Sequence, residues 1–362
     1  MTDSMYPESL LPKGVGERDA LVLNYTMACP LRCDFCCYGC HPDRSEKMPL
    51  KEALRLVGET SGIPSISCLG LTGGEPLLFW DEVKEIMRQA FEIALPFTVA
   101  TAAHWAEDAG EARQRVEFML RHGISRANIS CDPSHQKYVS REAVERAARL
   151  FAERGVETHI IGTFRSIDLA TAYFEDFPEL ESLKIHPRVV AKVGMANKWV
   201  LDDLTDQPQL ERLTCYRRIH HDLVVFWDGR AYPCCSTFNR ATPGIVVGNA
   251  FEEPLKAIWR RVEGSLKFRI IKRQGFGALY RIVEERSPAL FAQLPSARGC
   301  RGACSLCNRI FRDAELTEKL NALMSDYELD QVVGIIEHVK RVHGSATAER
   351  IVNELLGEDS NA

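Results

Sequence analysis

The stretch Cys29-Pro-Leu-Arg-Cys33-Asp-Phe-Cys36 (residues 29–36) sets three cysteines on one short segment, directly behind the apolar run Leu21 to Tyr25. A run of that kind reads as a β-strand, so the thiols fall on a loop at a strand's carboxyl end. Three thiolates on a four-iron cube leave one iron open, and an open iron chelates a small molecule instead of only passing electrons. The plainer alternative is a closed structural zinc site, which needs a fourth ligand that Cys40 or His41 would supply.

Outward from this loop, short apolar runs alternate with amphipathic stretches, the pattern of repeated βα units building a parallel sheet. Strands are expected at Leu21 to Tyr25, Ser65 to Leu71, Phe97 to Thr101, Ala127 to Cys131, Thr158 to Thr163 and Leu183 to Pro187. Ala112, Val116 and Met119 share one helical face before Gly123, and Val144, Ala147 and Phe151 share another before Gly155; each glycine suits a helix C-terminus. The fold class is thus α/β, a partial (β/α)6 TIM-like barrel over residues 20–200, after an N-terminal extension at 1–19. Its functional loops belong at the carboxyl ends of the strands. From Val193 to Gln209, with Gly194, Asn197 and Pro208, the alternation lapses into a domain connection. A smaller C-terminal α+β domain is expected over 201–320, opening on a hairpin in which Asp228-Gly229 turns Leu223 to Trp227 onto Arg230 to Pro233. A helical tail over 321–362 ends the chain.

The 362 residues suffice for one large domain and an appendage, and the 45% hydrophobic content fills a sizeable core. The opening segment lacks the basic and apolar regions of a secretory signal, and no apolar run is long enough to span a bilayer. A cytoplasmic protein with no membrane partner is expected. A formal net charge of −5 argues against a nucleic-acid partner, whose phosphates require a basic stripe. Thirteen cysteines in a reducing compartment point to metal ligation rather than disulfides. Five lie between Cys29 and Cys40 and six from Cys215 onward, with Cys68 and Cys131 apart, so two cysteine centres are implied.

The spacing C-x3-C-x-φ-C, with Phe35 at the aromatic position, resembles the radical S-adenosylmethionine (SAM) superfamily. That resemblance implies a 4Fe-4S cluster on Cys29, Cys33 and Cys36 whose open iron binds the amino and carboxylate groups of SAM, with reductive cleavage giving a 5'-deoxyadenosyl radical. Leu71-Thr72-Gly73-Gly74-Glu75-Pro76, one βα unit later, is similar to the family's GGE motif and assigns Gly73, Gly74 and Glu75 to the methionine part of SAM. Glycines admit close backbone approach there, and a carboxylate pairs with the ammonium. Ile129 to His135 resembles a segment that contacts the SAM ribose or sulfonium. Alternation sends Ser130 and Asp132 into the barrel and Cys131 toward the helices, where it packs; the bland reading of Asp132 is a helix cap. Strand three departs from the family, with Ala100-Thr101-Ala102-Ala103 where Thr-Asn-Gly is usual, which leaves Thr101 to keep a contact.

Cys215, the element Gly229-x4-Cys234, and Cys304-x2-Cys307 resemble the twitch and SPASM auxiliary-cluster modules, over about residues 215–310. Gly248-Asn249, Pro254-Leu255 and Ile258-Trp259 add to the likeness. Six thiols cover one auxiliary 4Fe-4S cluster, on Cys215, Cys234, Cys304 and Cys307, rather than two. Cys300 or Cys235 would substitute for one of the four, and a structural zinc on the same four is the alternative.

The resemblance implies an oxidoreductase or epimerase that abstracts hydrogen from substrate carbon and tailors a peptide natural product by oxidation, epimerisation or cross-linking. A reducing flavodoxin or ferredoxin would supply electrons. A small polar substrate, an amino sugar or cyclitol, is the second expectation. A non-catalytic iron-sulfur scaffold or electron carrier is the third, and the GGE and strand-four motifs count against it. For an epimerase, Cys37, Cys40, Cys68 and Cys235 are the candidate hydrogen donors; Cys68 shares its strand face with Gly70 and Thr72, toward the barrel interior. Cys37 and Cys40 otherwise read as loop packing.

Overall fold

The structure is a computed structural model that describes residues 18–178, 180–198, 208–215 and 220–356. Residues 1–17 of the extension, 199–207 of the expected connection and 357–362 of the tail lie outside the described residues. Strands form where the apolar runs fall: β1 (Asp19–Asn24), β2 (Ile66–Thr72), β3 (Phe97–Thr101), β4 (Ile124–Ser130), β5 (Glu157–Phe164) and β6 (Leu183–Val189). Helices α1 (Leu50–Glu59), α2 (Trp80–Glu92), α3 (Ala109–Arg121), α4 (Arg141–Ala152) and α5 (Ile167–Phe174) cross between them. Neighbouring strands from β1 to β6 pair in parallel.

The helices start and stop where local chemistry dictates. Asp108 accepts the N–H of Glu111 at 2.7 Å ahead of α3, and Ser140 accepts that of Ala143 at 3.1 Å ahead of α4. Gly123 (φ +89°) and Gly155 (φ +75°) turn the chain out of those helices through the left-handed region. The faces expected to be apolar are buried: Ala112, Val116 and Met119 on α3, and Val144, Ala147 and Phe151 on α4. They meet Leu21, Leu23, Leu69, Leu71, Val99 and Ile129 in one core between helices and sheet.

The hairpin at Asp228-Gly229 forms, but it extends the barrel's own sheet. β7 (Asp222–Phe226) is buried along its whole length and lies parallel beside β1, from Ala20↔Asp222 to Asn24↔Phe226. A run covered on both faces belongs inside a sheet. β8 (Arg230–Tyr232) and β9 (Gly248–Asn249) then add antiparallel, giving the open order β6-β5-β4-β3-β2-β1-β7-β8-β9. α6 (Leu255–Gly264) rejoins the outer layer through Leu255, Ile258, Trp259 and Val262. On the inner face, Ala20, Val22, Val224 and Phe226 are covered by α7 (Leu266–Arg273) and α8 (Gly275–Arg286), through Phe268, Ile271, Phe276 and Leu279. Short α9 (Pro288–Phe291), α10 (Ala303–Phe311), the long α11 (Ala314–His343) and α12 (Ser345–Leu356) complete the chain's described part. No described helix is long and apolar enough to cross a membrane.

Candidate functional site

The cysteine loop leaves the carboxyl end of β1 and is tied at once to the turn after β2. Gly74 donates its N–H to Thr26 O (2.6 Å) and Glu75 to Ala28 O (2.9 Å), immediately ahead of Cys29. A Cβ on Gly73 (φ +148°) would meet Thr26 O at 2.6 Å, and one on Gly74 would run into the Ala28 carbonyl. Here the close approach that glycine permits is between two loops of the protein itself.

Glu75 is fully buried. Its carboxylate accepts hydrogen bonds from Leu77 N (3.1 Å), Ala102 N (2.8 Å) and the Thr101 hydroxyl (2.9 and 3.1 Å), and His104 Nδ1 lies 3.7 Å away. Thr101 in turn accepts Ala103 N and Trp105 Nε1, each at 3.0 Å. Burial pushes the Cys29 thiol up to about 12, and the charges of Glu75, Cys33 and Cys36 push the same way, which places all four groups in one neighbourhood.

The loop after β4 grips the cysteine loop from the other side. Ser134 donates its hydroxyl to Asp34 Oδ1 (2.6 Å) and accepts Asp34 N (3.2 Å), Tyr138 donates to Arg32 O (3.0 Å), and the Phe35 and His135 rings lie 5.5 Å apart. Asp132, fully buried, accepts Ser134 N, His135 N, Thr163 N and His135 Nδ1 at 2.8–3.1 Å, so its carboxylate caps the turn and orients the imidazole. Burial opposes a charge on His135, but Asp132 and the Cys33 thiol outweigh it and raise the imidazole to about 10. Ser130 is partly exposed at the end of β4, and Cys131 is buried with its thiol 3.0 Å from Gln136 Oε1. Cys40 is buried against the same loop: its N–H reaches Cys36 Sγ (3.3 Å) and its thiol lies 4.0 Å from Met27 Sδ.

Between these loops opens a cavity of about 500 Å³, lined by Asp34, Phe35, Ser134, Lys137, Thr163 and Arg165 among others. Lys137, Thr163 and Arg165 were not singled out from sequence. The signal for them was Gly162 inside β5, whose Cβ would meet Cys131 O at 2.6 Å; a glycine within a strand marks close approach.

In the C-terminal part, the charge on Cys234 is opposed first by burial and then by Cys215, Cys304, Cys307 and Cys235, which all lie within electrostatic reach of it. Cys300 stands apart, buried, with its thiol against Ser305. Cys235 is exposed and lies within electrostatic reach of both Cys304 and Cys37. The two cysteine centres touch through their loops: Tyr38 donates its hydroxyl to Ser236 O (2.8 Å), its ring meets Phe226 at 5.1 Å, and Arg240 reaches Met27 Sδ at 3.3 Å. Cys68 is buried on the sheet's inner face beside Ala20, toward the amino end of β2, with Ser125 and Arg126 as neighbours.

Both donor sets match iron-sulfur chemistry in donor type: three thiols on one loop, and four in the C-terminal part, of which Cys304 and Cys307 share α10. Among the described residues no three His, Cys, Asp or Glu side chains are close enough to hold a metal ion as they stand, so the fit is one of donor type. The Radical SAM superfamily profile matches residues 23–171, and an iron-sulfur cluster-binding domain of the SPASM type matches residues 215–279. The "Putative peptide biosynthesis protein YydG" of Bacillus subtilis (strain 168) is 20% identical over 84% of this chain and 96% of its own. Streptococcus suis SuiB, solved bound to S-adenosylmethionine, superposes with a TM-score of 0.52 at 17% identity, over 83% of this chain and 77% of its own. The structure described as native anSMEcpe with bound AdoMet and Cp18Cys peptide covers 89% of this chain and 99% of its own, at 15% identity and a TM-score of 0.48.

Proposed function

Since the chain is a radical SAM protein with a SPASM iron-sulfur module behind the barrel, we propose that it tailors a peptide natural product by taking hydrogen from a substrate carbon. The observation that carries the peptide reading is the match to the Bacillus peptide biosynthesis protein over 84% of this chain and 96% of that one. The domain limits proposed are 20–200 for the barrel, 201–320 for the auxiliary-cluster domain and 321–362 for the tail, with an external flavodoxin or ferredoxin as reductant.

Cys29, Cys33 and Cys36 would hold the SAM-binding cluster, which when loaded and reduced supplies the electron that cleaves SAM. The nearness of Glu75 to Cys29 supports a pairing of Glu75 with the SAM ammonium. Thr101 keeps that carboxylate in place, and the GGE backbone fixes the cysteine loop beside it. The cavity against Phe35, with Ser134 and Thr163 on its wall, is the space we assign to the rest of the cofactor; Asp132 acts there through the turn and the imidazole it holds, and Ser130 ends the strand just before it. Cys215, Cys234, Cys304 and Cys307 would hold one auxiliary cluster.

Among the four candidate thiols for returning hydrogen in an epimerisation, the exposed Cys235 is favoured. Cys40 is enclosed beside Cys36, Cys37 is half-buried and less open than Cys235, and Cys68 sits four residues before the end of β2, on the order of 13 Å back along the strand.

The test is to incubate reconstituted protein with SAM, dithionite and the peptide encoded beside its gene. Formation of 5'-deoxyadenosine, abolished in the Cys29→Ala/Cys33→Ala/Cys36→Ala variant with loss of one cube's iron, supports the reading. A variant that still makes 5'-deoxyadenosine removes the cluster assignment, and an untouched peptide with active SAM cleavage removes the peptide.

A further inference from the structure

α7 carries four basic residues in eight: Lys267, Arg269, Lys272 and Arg273. Arg269 pairs outward with Glu328 at 2.8 Å, and Arg273 is exposed. Lys272 is enclosed, and Lys267 is half-buried on another side of the helix. Lys272 is only 5% exposed; its ammonium donates to His220 O at 2.7 Å and lies 2.6 Å from His221 Nδ1. The carbonyl just before it, that of Ile271, accepts the N–H of Cys215 at 3.3 Å, so the lysine is one peptide unit from backbone that holds a proposed ligand. Lys267 donates to Asn321 Oδ1 at 2.6 Å and lies 5.3 Å from the ring of Phe311, one helical turn beyond Cys307 on α10.

A lysine is almost never enclosed without an anion to face. Burial draws Lys272 down to about 8, and of the opposite charges that sustain it Cys215 and Cys234 act ahead of Asp19 and Asp222. Burial likewise lowers Lys267, and Cys307 is the group that sustains it. Four thiolates on a 4Fe-4S core leave a centre of net negative charge inside the protein, and each electron it accepts deepens that charge. Net charge near a cluster is one of the determinants of its potential.

We propose that Lys272 and Lys267 are the counter-charges of the auxiliary cluster, holding its reduction potential up so that it serves as an electron acceptor. This rests on the reading that Cys215, Cys234, Cys304 and Cys307 ligate an iron-sulfur cluster. Both ammoniums come from one helix, so the register of α7 against the cysteines, rather than a ligand, sets the electrostatics. Neither lysine is offered as a catalytic residue.

The test uses the full chain with Cys29, Cys33 and Cys36 replaced by Ala, so that only the auxiliary centre reports, and follows its reduction by redox titration with EPR detection. Lys272→Met should lower the reduced-to-oxidised ratio at the parent's midpoint about tenfold, equivalent to about 59 mV for one electron. Lys272→Arg should restore it, Lys267→Met should shift it the same way, and Arg273→Met, an exposed charge on the same helix, should leave it nearly unmoved by solvent screening. Should Lys272→Met fail to fold, Lys267→Met and Lys272→Arg carry the test. An intact cluster, by iron, sulfide and EPR signal, whose midpoint is unchanged in the Met variants overturns the proposal and leaves the lysines as partners of Asp19, Asp222 and Asn321. A module that holds zinc or no iron overturns the ligand reading beneath it, and the proposal with it.

Discussion

The Thr101 hydroxyl lies 2.9 and 3.1 Å from the two carboxylate oxygens of Glu75, across the boundary between β2 and β3, and neither residue reaches solvent. The same hydroxyl accepts Ala103 N and Trp105 Nε1, so one oxygen ties the turn after β2 to the turn after β3. Strand three is therefore bound to the Glu75 carboxylate even though its sequence departs from the family.

Thr101→Val is expected to weaken SAM binding by roughly tenfold, about 1.4 kcal/mol, and to cost about 1–3 kcal/mol of stability through the buried donors it strands. Glu75→Gln, which offers one acceptor oxygen to the same donors, should weaken SAM about as much with iron content unchanged. Equilibrium binding and urea unfolding read the two effects separately. Unchanged SAM affinity in both variants would take Glu75 out of the cofactor site.

Gly74→Ala is expected to cost about 3 kcal/mol, the upper end of ordinary single-site effects, because the added methyl meets the fixed backbone of Ala28. The displaced segment is the one that leads into Cys29, so iron uptake at the first centre should fall while the auxiliary centre still loads. Gly62→Ala, where nothing lies within 4 Å, is the control.

Stability should fall as the pH drops from 6.5 toward 4. His159 is fully buried on β5; burial, then His186 and Arg126, lowers it to about 4 against the opposing pull of Glu157, and burial with Lys272 lowers His221 to about 4 as well. The unfolded chain binds protons at these residues from pH 6.5 downward while the folded chain does not, so the stabilisation is full above 6.5 and lost through that window. One such group contributes about 2–3 kcal/mol at most. Unfolding free energies measured at pH 7 and pH 5 should differ less in His159→Phe than in the parent.

If the reaction is an epimerisation, Cys235→Ala should still produce 5'-deoxyadenosine at the parent's rate but lose the inverted product, and the parent's product should carry one solvent deuterium at the altered carbon. Cys68→Ala and Cys131→Ala should retain inversion, both thiols being buried. A peptide that instead loses two hydrogens and takes up no deuterium turns the assignment toward oxidation or cross-linking.

The strands and helices were legible because the buried positions of β1 to β5 and one face of α3 and α4 write their burial into a repeating apolar pattern. The first cysteine spacing was legible because its three thiols sit within eight residues of one loop, whereas the C-terminal cysteines are spread from Cys215 to Cys307. What periodicity does not report is adjacency between distant loops. That Gly73 and Gly74 press on Thr26 and Ala28, that Asp132 is occupied with His135 and Thr163, and that Arg165 faces Phe35 across a cavity all depend on which strand ends stand side by side. The placement of β7 was missed for a related reason: Leu223 to Phe226 is apolar throughout, and a short run of that kind states that it is covered without stating by which sheet.

The parallel register from Ala20↔Asp222 to Asn24↔Phe226 has a consequence for anyone who would cut or shuffle this enzyme. A truncation ahead of Asp222 would strip β1 of one neighbour along its whole length and bare Ala20 and Val22, turning an interior strand into a long apolar edge of the kind that recruits other chains. The barrel is thus not an autonomous cassette to which an iron-sulfur module has been appended. Chimeras between relatives should keep β1 and β7 from one parent and place their crossover elsewhere.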